Sequence, residues 1–375
     1  MARALIVTGH FPRQARRAGI PWLAARMEAA GWEVVFATVG YSRLSVWRGD
    51  RRMEGVSPAP VEGETVIAPG MTAVFGLPPV HPVSLRAGWV DRLAAPMGGV
   101  FARWWGPRLA PHAARADLIV VESGPPVMLA RDLRAAADAV PMVYRASDDV
   151  RLLGLPAWLC DEEVAVAPVF DRISVASPVL ARRWAGHPGL SIDPIGVPKA
   201  ELAVEQADPY PAPRARIEAV CAGTTLLDMD QAVTLARLHP DWRVTVIGRI
   251  KARPEDVPGN LRLLGERPFD ETVAHIRHAD LGLALYADRP GVEYQTAQSN
   301  RMLLYRHFRL PVIGPLRVCD PAVPSVIGYD PRDGADMARA AARALALPPL
   351  PPDDGIPDWD LLFDRITGTR RIRTG

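Results

Sequence analysis

The feature that most constrains this chain is a strand-then-helix alternation that runs twice, on either side of residues 200–213, which carry no usable periodicity. The first series predicts strands over Ala4–Thr8, Glu33–Thr38, Asp117–Glu122, Met142–Ala146, Ile173–Ala176 and Ser191–Pro194. Helices are expected at Trp22–Ala30, with Pro21 in the first turn and Gly31 closing it, and at Met128–Ala139. The second series predicts strands over Ala219–Ala222, Arg243–Ile247, Leu261–Leu264, Leu281–Leu285 and Pro311–Ile313. Its helices are Asp230–Leu238, Phe269–His278, Ala297–Phe308 and Gly334–Leu347, followed by an amphipathic Asp358–Ile366. Short apolar runs alternating with helical periods imply parallel sheets covered on both faces. The expected organisation is an N-terminal domain over 1–199, a linker over 200–213, a C-terminal domain over 214–352 and a terminal helix within 353–375 that packs back on the first domain. A length of 375 residues is that of two domains.

Composition narrows the class. Hydrophobic residues make up 49% and charged residues 23%, which supports two cores and excludes a disordered chain. The 38 prolines gather in 56–82, 107–126, 188–213 and 348–357, read as long loops. Three widely spaced cysteines, Cys160, Cys221 and Cys319, suggest neither a disulfide framework nor a zinc site, which fits a reducing cytoplasm. The opening apolar run is too short for a signal peptide, and no stretch approaches the ~20 apolar residues of a membrane span, so any membrane contact is peripheral. Residues 1–52 hold nine arginines against three acidic residues, whereas 201–375 hold 22 basic and 24 acidic side chains. A basic front end points to an anionic partner, phosphate groups or an acidic lipid surface. The loop 41–52, with Trp22 and Trp104-Trp105, mixes aromatics with arginines as membrane-interface segments do. No nucleic-acid-binding motif accompanies it.

Two doubly wound units place ligand loops at strand carboxyl ends. Nucleotide-sugar transferases, two-domain dehydrogenases and sugar-binding proteins all use that architecture. The G-x-G-x-x-G turn of dinucleotide binding and the P-loop are both absent. The glycines that remain at strand ends are Gly9-His10, Gly223-Thr224-Thr225 and Gly248-Arg249. The segment 282–301 delivers Tyr286, then a loop, then a helix start at Ser299-Asn-Arg301-Met302. Its free N–H groups and dipole suit a diphosphate, with Arg301 one turn in and Tyr286 stacking or donating its hydroxyl. The structural alternative makes Met302–Leu304 core and Arg301 a solvated face. In the first half, Arg145-Ala-Ser-Asp148-Asp149 ends a strand with paired carboxylates. Asp148 is the expected general base and Asp149 the expected helix cap. His10 is the rival base, and Glu122-Ser123 ends a neighbouring strand as an acceptor contact or a cap.

These segments together resemble glycosyltransferase family 70, whose members act as glucuronosyltransferases in xanthan-type exopolysaccharide assembly. The matching pieces are His10-x-x-Arg13-x-x-Arg16-Arg17, Tyr41-Ser-Arg43-Leu-Ser with Arg48-Gly-Asp50, Val121-Glu122-Ser123-Gly124, Val143-Tyr-Arg-Ala-Ser-Asp148, Gly265-Glu266, Ile276-x-His278-Ala279, Tyr286-Ala287 and Leu310-Pro311, in order along nearly the whole chain. The resemblance implies a GT-B fold, two Rossmann-like domains facing a cleft. It implies an inverting, metal-independent, membrane-associated enzyme that moves glucuronate from UDP-glucuronate to a polyprenyl-diphosphate-linked oligosaccharide at the inner face of the plasma membrane, with no cofactor. Asp148 matches the family's base. Gly223, Thr224, Thr225, Gly248, Tyr286, Arg301 and Met302 fall on the donor side. His10, Arg13, Arg16, Arg17, Arg43, Arg48, Arg51, Arg52, Glu122 and Ser123 fall on the acceptor and membrane side. Where the family carries Met-Lys this chain reads Arg301-Met302, and Thr225 replaces a methionine. Retaining GT-B enzymes often pair two glutamates eight positions apart; here Glu293 is followed by Arg301, which favours inversion. The expected alternatives are another UDP-hexose as donor, or a two-domain sugar-binding protein.

Overall fold

A computed structural model describes residues 1–13, 19–50, 56, 59–85, 87–250, 254–295 and 299–368. The chain divides into two compact units, 1–194 with 359–375, and 195–358.

Unit 1 begins with β1 (Arg3–Thr8), α1 (Gly19–Ala29), β2 (Glu33–Thr38) and α2 (Arg43–Trp47). It continues through β3 (Gly63–Ala68), β4 (Met71–Phe75), α3 (Gly88–Leu93), α4 (Pro96–Ala113) and β5 (Leu118–Glu122). After α5 (Ala130–Ala136) come β6 (Met142–Ala146), α6 (Ala157–Ala165), β7 (Arg172–Val175), α7 (Pro178–Ala181) and β8 (Leu190–Ile192). The eight strands lie in the order β3-β4-β2-β1-β5-β6-β7-β8. Ala4–Val7 and Leu118–Val121 are buried throughout, as central parallel strands require. The order reverses between β1 and β5, so the loops after those two strands open a crevice at their carboxyl ends.

Two expectations fail in this unit. The stretch 56–82 is not one long loop but contains the β3–β4 hairpin, and β3 runs antiparallel to β4, so the sheet is mixed. Residues 63–66 of β3 are exposed, and an edge strand facing water offers no apolar run to detect. Pro107 and Pro111 sit inside the 18-residue helix α4, where prolines were read as loop punctuation. The helix holds because Phe101, Trp105 and Leu109 are wholly buried on one face.

Unit 2 holds α8 (Lys199–Leu202), β9 (Glu218–Ala222), α9 (Met229–Leu238), β10 (Arg243–Ile247), β11 (Leu261–Gly265) and α10 (Phe269–Arg277). Then come β12 (Leu281–Leu283), α11 (Asn300–His307), β13 (Val312–Pro315), β14 (Val326–Tyr329) and α12 (Gly334–Leu345). Its six strands, in the order β11-β10-β9-β12-β13-β14, are all parallel. Here the reversal falls between β9 and β12, which sets the Gly223 loop beside the Tyr286 loop. The last helix, α13 (Trp359–Thr367), belongs to unit 1. Trp359 stacks on Trp22 at 6.0 Å between ring centroids, and Asp360 meets Arg26 at 2.5 Å.

Candidate active site

At the unit 1 reversal, β1 delivers Thr8, Gly9 and His10, and β5 delivers Glu122 and Ser123. Glu122 is buried. One of its carboxylate oxygens accepts from the Thr8 hydroxyl, and the other lies 3.7 Å from His10 Nε2. The His10 N–H donates to Thr8 Oγ1 at 3.0 Å, and its carbonyl accepts from Thr38 Oγ1 at 2.8 Å. The His10 backbone is therefore held by two neighbouring strands, and its half-exposed imidazole is backed by a buried carboxylate.

The next strand, β6, ends at Ala146 and leads into Ser147-Asp148-Asp149. The Arg145 carbonyl accepts both the Ser123 N–H (3.0 Å) and the Ser147 N–H (3.1 Å), tying the β5 and β6 ends together. The two carboxylates then diverge. Asp149 is buried and caps the turn Val150–Leu152: its Oδ1 accepts from Arg151 N at 3.1 Å. Arg151 also grips it through Nε (2.8 Å) and Nη2 (2.5 Å), with Arg183 at 3.6 Å. Burial by itself would raise the Asp149 pKa, but the Arg151 hydrogen bonds and the two guanidinium charges hold it below the ordinary carboxylate value. Asp148 stands half-buried beside it.

Ser123 is half-buried, and Arg13 and Arg43 are exposed. Arg16, Arg17, Arg51 and Arg52 lie outside the described residues. The aromatic half of the interface expectation needs correcting. Tyr41 packs with Phe11 and Phe75, Trp22 with Trp359, and Trp105 is wholly buried, so these rings are core. Trp47 alone of loop 41–52 keeps its ring in solvent, 82% exposed.

In unit 2, Gly223 follows β9 at φ +95°, in the left-handed region that favours glycine. Gly248, after β10, has φ +128°, and a Cβ there would stand 2.9 Å from Thr224 Cγ2. A side chain at position 248 would therefore push into the 223–225 loop. Thr224 and Thr225 are half-buried. The Tyr286 hydroxyl lies 2.9 Å from Ser299 Oγ, which in turn accepts from Met302 N at 3.3 Å and caps α11. The N–H of Met302 is thus occupied by the cap, and its side chain is core. Arg301 differs from both readings of the sequence, being neither a solvated face nor an open cation. It is buried, with Nε donating to the Ala222 carbonyl (2.8 Å) and Nη2 to the Gly223 carbonyl (2.5 Å). Its guanidinium lies 4.5 Å above the Tyr286 ring, and Nη1 has no hydrogen-bond partner among the described residues. Arg301 therefore clamps the β9 loop to the β12 loop. Among the described residues, no group of three or more His, Cys, Asp or Glu side chains is placed to hold a metal ion.

Residues 6–176, most of unit 1, match the family model described as the N-terminal domain of the glucuronosyltransferase GumK. The chain is also 28% identical over 376 residues to the UDP-glucuronate:glycolipid 2-beta-glucuronosyltransferase of Xanthomonas campestris pv. campestris, covering 98% of this chain and 89% of the relative. The chain resembles the GumK glycosyltransferases. Its fold is GT-B. An alpha,alpha-trehalose-phosphate synthase (UDP-forming) from Burkholderia vietnamiensis superimposes with a TM-score of 0.60 at 14% identity, covering 100% of this chain and 99% of the other. A glycosyltransferase from Rickettsia africae ESF-5 does so with a TM-score of 0.57 at 8% identity, over 100% and 99%.

Sequence reasoning on this GumK relative missed Arg145, although it lies inside a segment already singled out. An arginine in the middle of an otherwise apolar strand was the available signal, since arginine is almost never buried without partners. It also missed Gln231, which donates to the Tyr286 carbonyl at 2.9 Å and holds the β12 loop from below.

Proposed function

We propose that this glycosyltransferase moves glucuronate from UDP-glucuronate to a polyprenyl-diphosphate-linked oligosaccharide, with inversion and without a metal. The supporting observation is end-to-end similarity to an enzyme named for that donor and a glycolipid acceptor. Each unit has one strand-order reversal, and on this reading each holds one substrate. In unit 2 the loops after β9 and β12, with Gly223, Thr224, Thr225, Gly248 and Tyr286, receive the UDP moiety. In unit 1 Asp148 takes the proton of the attacking acceptor hydroxyl, and His10, Glu122 and Ser123 contact the acceptor. Backbone N–H groups at the unit 2 loops stabilise the departing diphosphate. The test is UDP release from UDP-glucuronate, UDP-glucose and UDP-galactose with a lipid-linked acceptor extract. Release from UDP-glucuronate alone is expected; turnover of another UDP-hexose in its place refutes the donor assignment and leaves the transferase intact.

We further infer a peripheral seat on the inner leaflet. No helix among the described residues is long and apolar enough to cross a membrane. Instead α2 and α3 carry Trp47, Trp89 and Leu93, which are 82%, 70% and 73% exposed, among Arg43, Arg48 and Arg92. Both helices hang from one segment: Arg43 N donates to the Pro78 carbonyl (2.9 Å), while Ser84 Oγ and Leu85 N donate to Asp91 (2.8 and 2.6 Å). Exposed aromatics with arginines suit an anionic interface. The W47A/W89A protein is expected to lose most of its co-sedimentation with phosphatidylglycerol vesicles while keeping its UDP affinity; undiminished vesicle binding sinks the assignment.

A further inference from the structure

A row of polar side chains crosses the unit 1 sheet at the carboxyl ends of its strands. Thr8 pairs with Thr38, Glu122 with Arg145, Arg145 with Ser174, and Ser174 with Ser191, each in register between adjacent parallel strands. Thr8 reaches Glu122 through its hydroxyl. In-register neighbours share a face of the sheet, so these six residues form one transverse line from β2 to β8. Thr38, Thr8, Glu122, Arg145 and Ser174 are all buried.

The charges along the line alternate. Arg145 Nη1 donates to Ser174 Oγ (2.8 Å) and to the Asp193 carbonyl (2.7 Å). Ser174 and Ser191 both donate to Asp193 Oδ2 at 2.7 Å, and Arg172 closes that end with a 2.6 Å ion pair. At the other end Glu122 stands in register with Arg145 on one neighbouring strand, and its carboxylate meets Thr8 and His10 on the other. A buried carboxylate stays ionised only beside a compensating charge, and a buried guanidinium has the same need. Burial pulls the Arg145 pKa down to about 10, against the opposing pull of Asp193 and Glu122. The line of buried charge reaches solvent at His10, on the acceptor side of the unit.

We propose that Arg145 is a positioning residue for the transfer reaction: its buried guanidinium supports Glu122, the in-register carboxylate that backs His10, and its carbonyl holds the β5 and β6 ends that lead to Ser123 and Asp148. This rests on the reading that these strand ends handle the acceptor. The consequence is that Glu122 and Arg145 act as one unit. Once the guanidinium is gone, the buried Glu122 has lost the opposite charge beside it, so removing its own charge as well costs little more.

The test compares wild type, R145K, R145M, E122Q and R145M/E122Q by urea unfolding, UDP affinity and kcat with lipid-linked acceptor. R145M is expected to lose about 10²-fold in kcat, with UDP affinity unchanged because the donor loops are in unit 2. R145K, which returns a cation, is expected to recover about a tenth of wild-type kcat or more. E122Q added to R145M should lower kcat by less than about threefold further, and the two substitutions should be coupled in unfolding as well. Additive unfolding effects overturn the couple whatever the activity. Coupled unfolding with unimpaired kcat, or UDP affinity falling in step with kcat, overturns the positioning role. A wild type inert towards every UDP-sugar fails the functional reading and the positioning role with it, while the unfolding cycle still decides whether the buried couple exists.

Discussion

D148N is expected to fold, to bind UDP as tightly as wild type and to transfer sugar about 10³-fold more slowly, the middle of the range a general base contributes. The expectation comes from the contrast between the two carboxylates that follow β6. Asp149 is spent on Arg151, Arg183 and the turn it caps. An Asp149 variant should therefore lose stability first, and activity only as far as the turn is disturbed. Asp148 lies just past the strand end, half-buried, in a unit whose strand-order reversal brings Glu122 and His10 to the same edge. Asparagine keeps the size and planar shape of aspartate, but it removes the charge and the capacity to accept a proton and turns one acceptor oxygen into an N–H₂ donor. A loss in kcat without a loss in UDP affinity or unfolding midpoint is thus the signature of the base. D148N activity within tenfold of wild type would move that role to His10, which is half-exposed and backed by Glu122.

How legible this architecture is depends on what buries each element. The strands β1, β2, β6 and β10 announce themselves because both faces are covered, so nearly every residue is apolar and the run is continuous. The β3–β4 hairpin and α4 do not. An edge strand has a wet face that reads as loop, and two prolines inside a helix outvote an apolar stripe visible only once Phe101, Trp105 and Leu109 are seen to be buried together. The capping role of Asp149 follows from strand-end position and capping rules alone. The transverse row through Arg145 does not, because it is written across six strands, one residue from each, and only the register assembles it. Arg301 was visible as a cation at a helix start, but its carbonyl partners lie almost eighty positions upstream.

That last point sets the second large effect: R301K weakens UDP binding nearly as much as R301M does, on the order of 100-fold. A guanidinium whose work is to neutralise a diphosphate would be largely replaced by another cation. Here the fork of Nε and Nη2 spans two successive carbonyls, Ala222 and Gly223, while its plane covers the Tyr286 ring. An ammonium keeps the charge and cannot reproduce that bidentate geometry. Each hydrogen bond from a charged donor is worth about 1.5–3 kcal/mol. Losing both frees the loop that Gly223 turns at positive φ and that Gly248 leaves room for. The circuit then opens at its other end too, because Tyr286 holds Ser299, the cap of α11. Calorimetric titration of UDP into wild type, R301K and R301M decides the matter. Parallel loss in both variants establishes a clamp that builds the nucleotide site, and near-wild-type affinity in R301K would establish a charge acting directly on the diphosphate through Nη1, the one guanidinium nitrogen without a protein partner among the described residues.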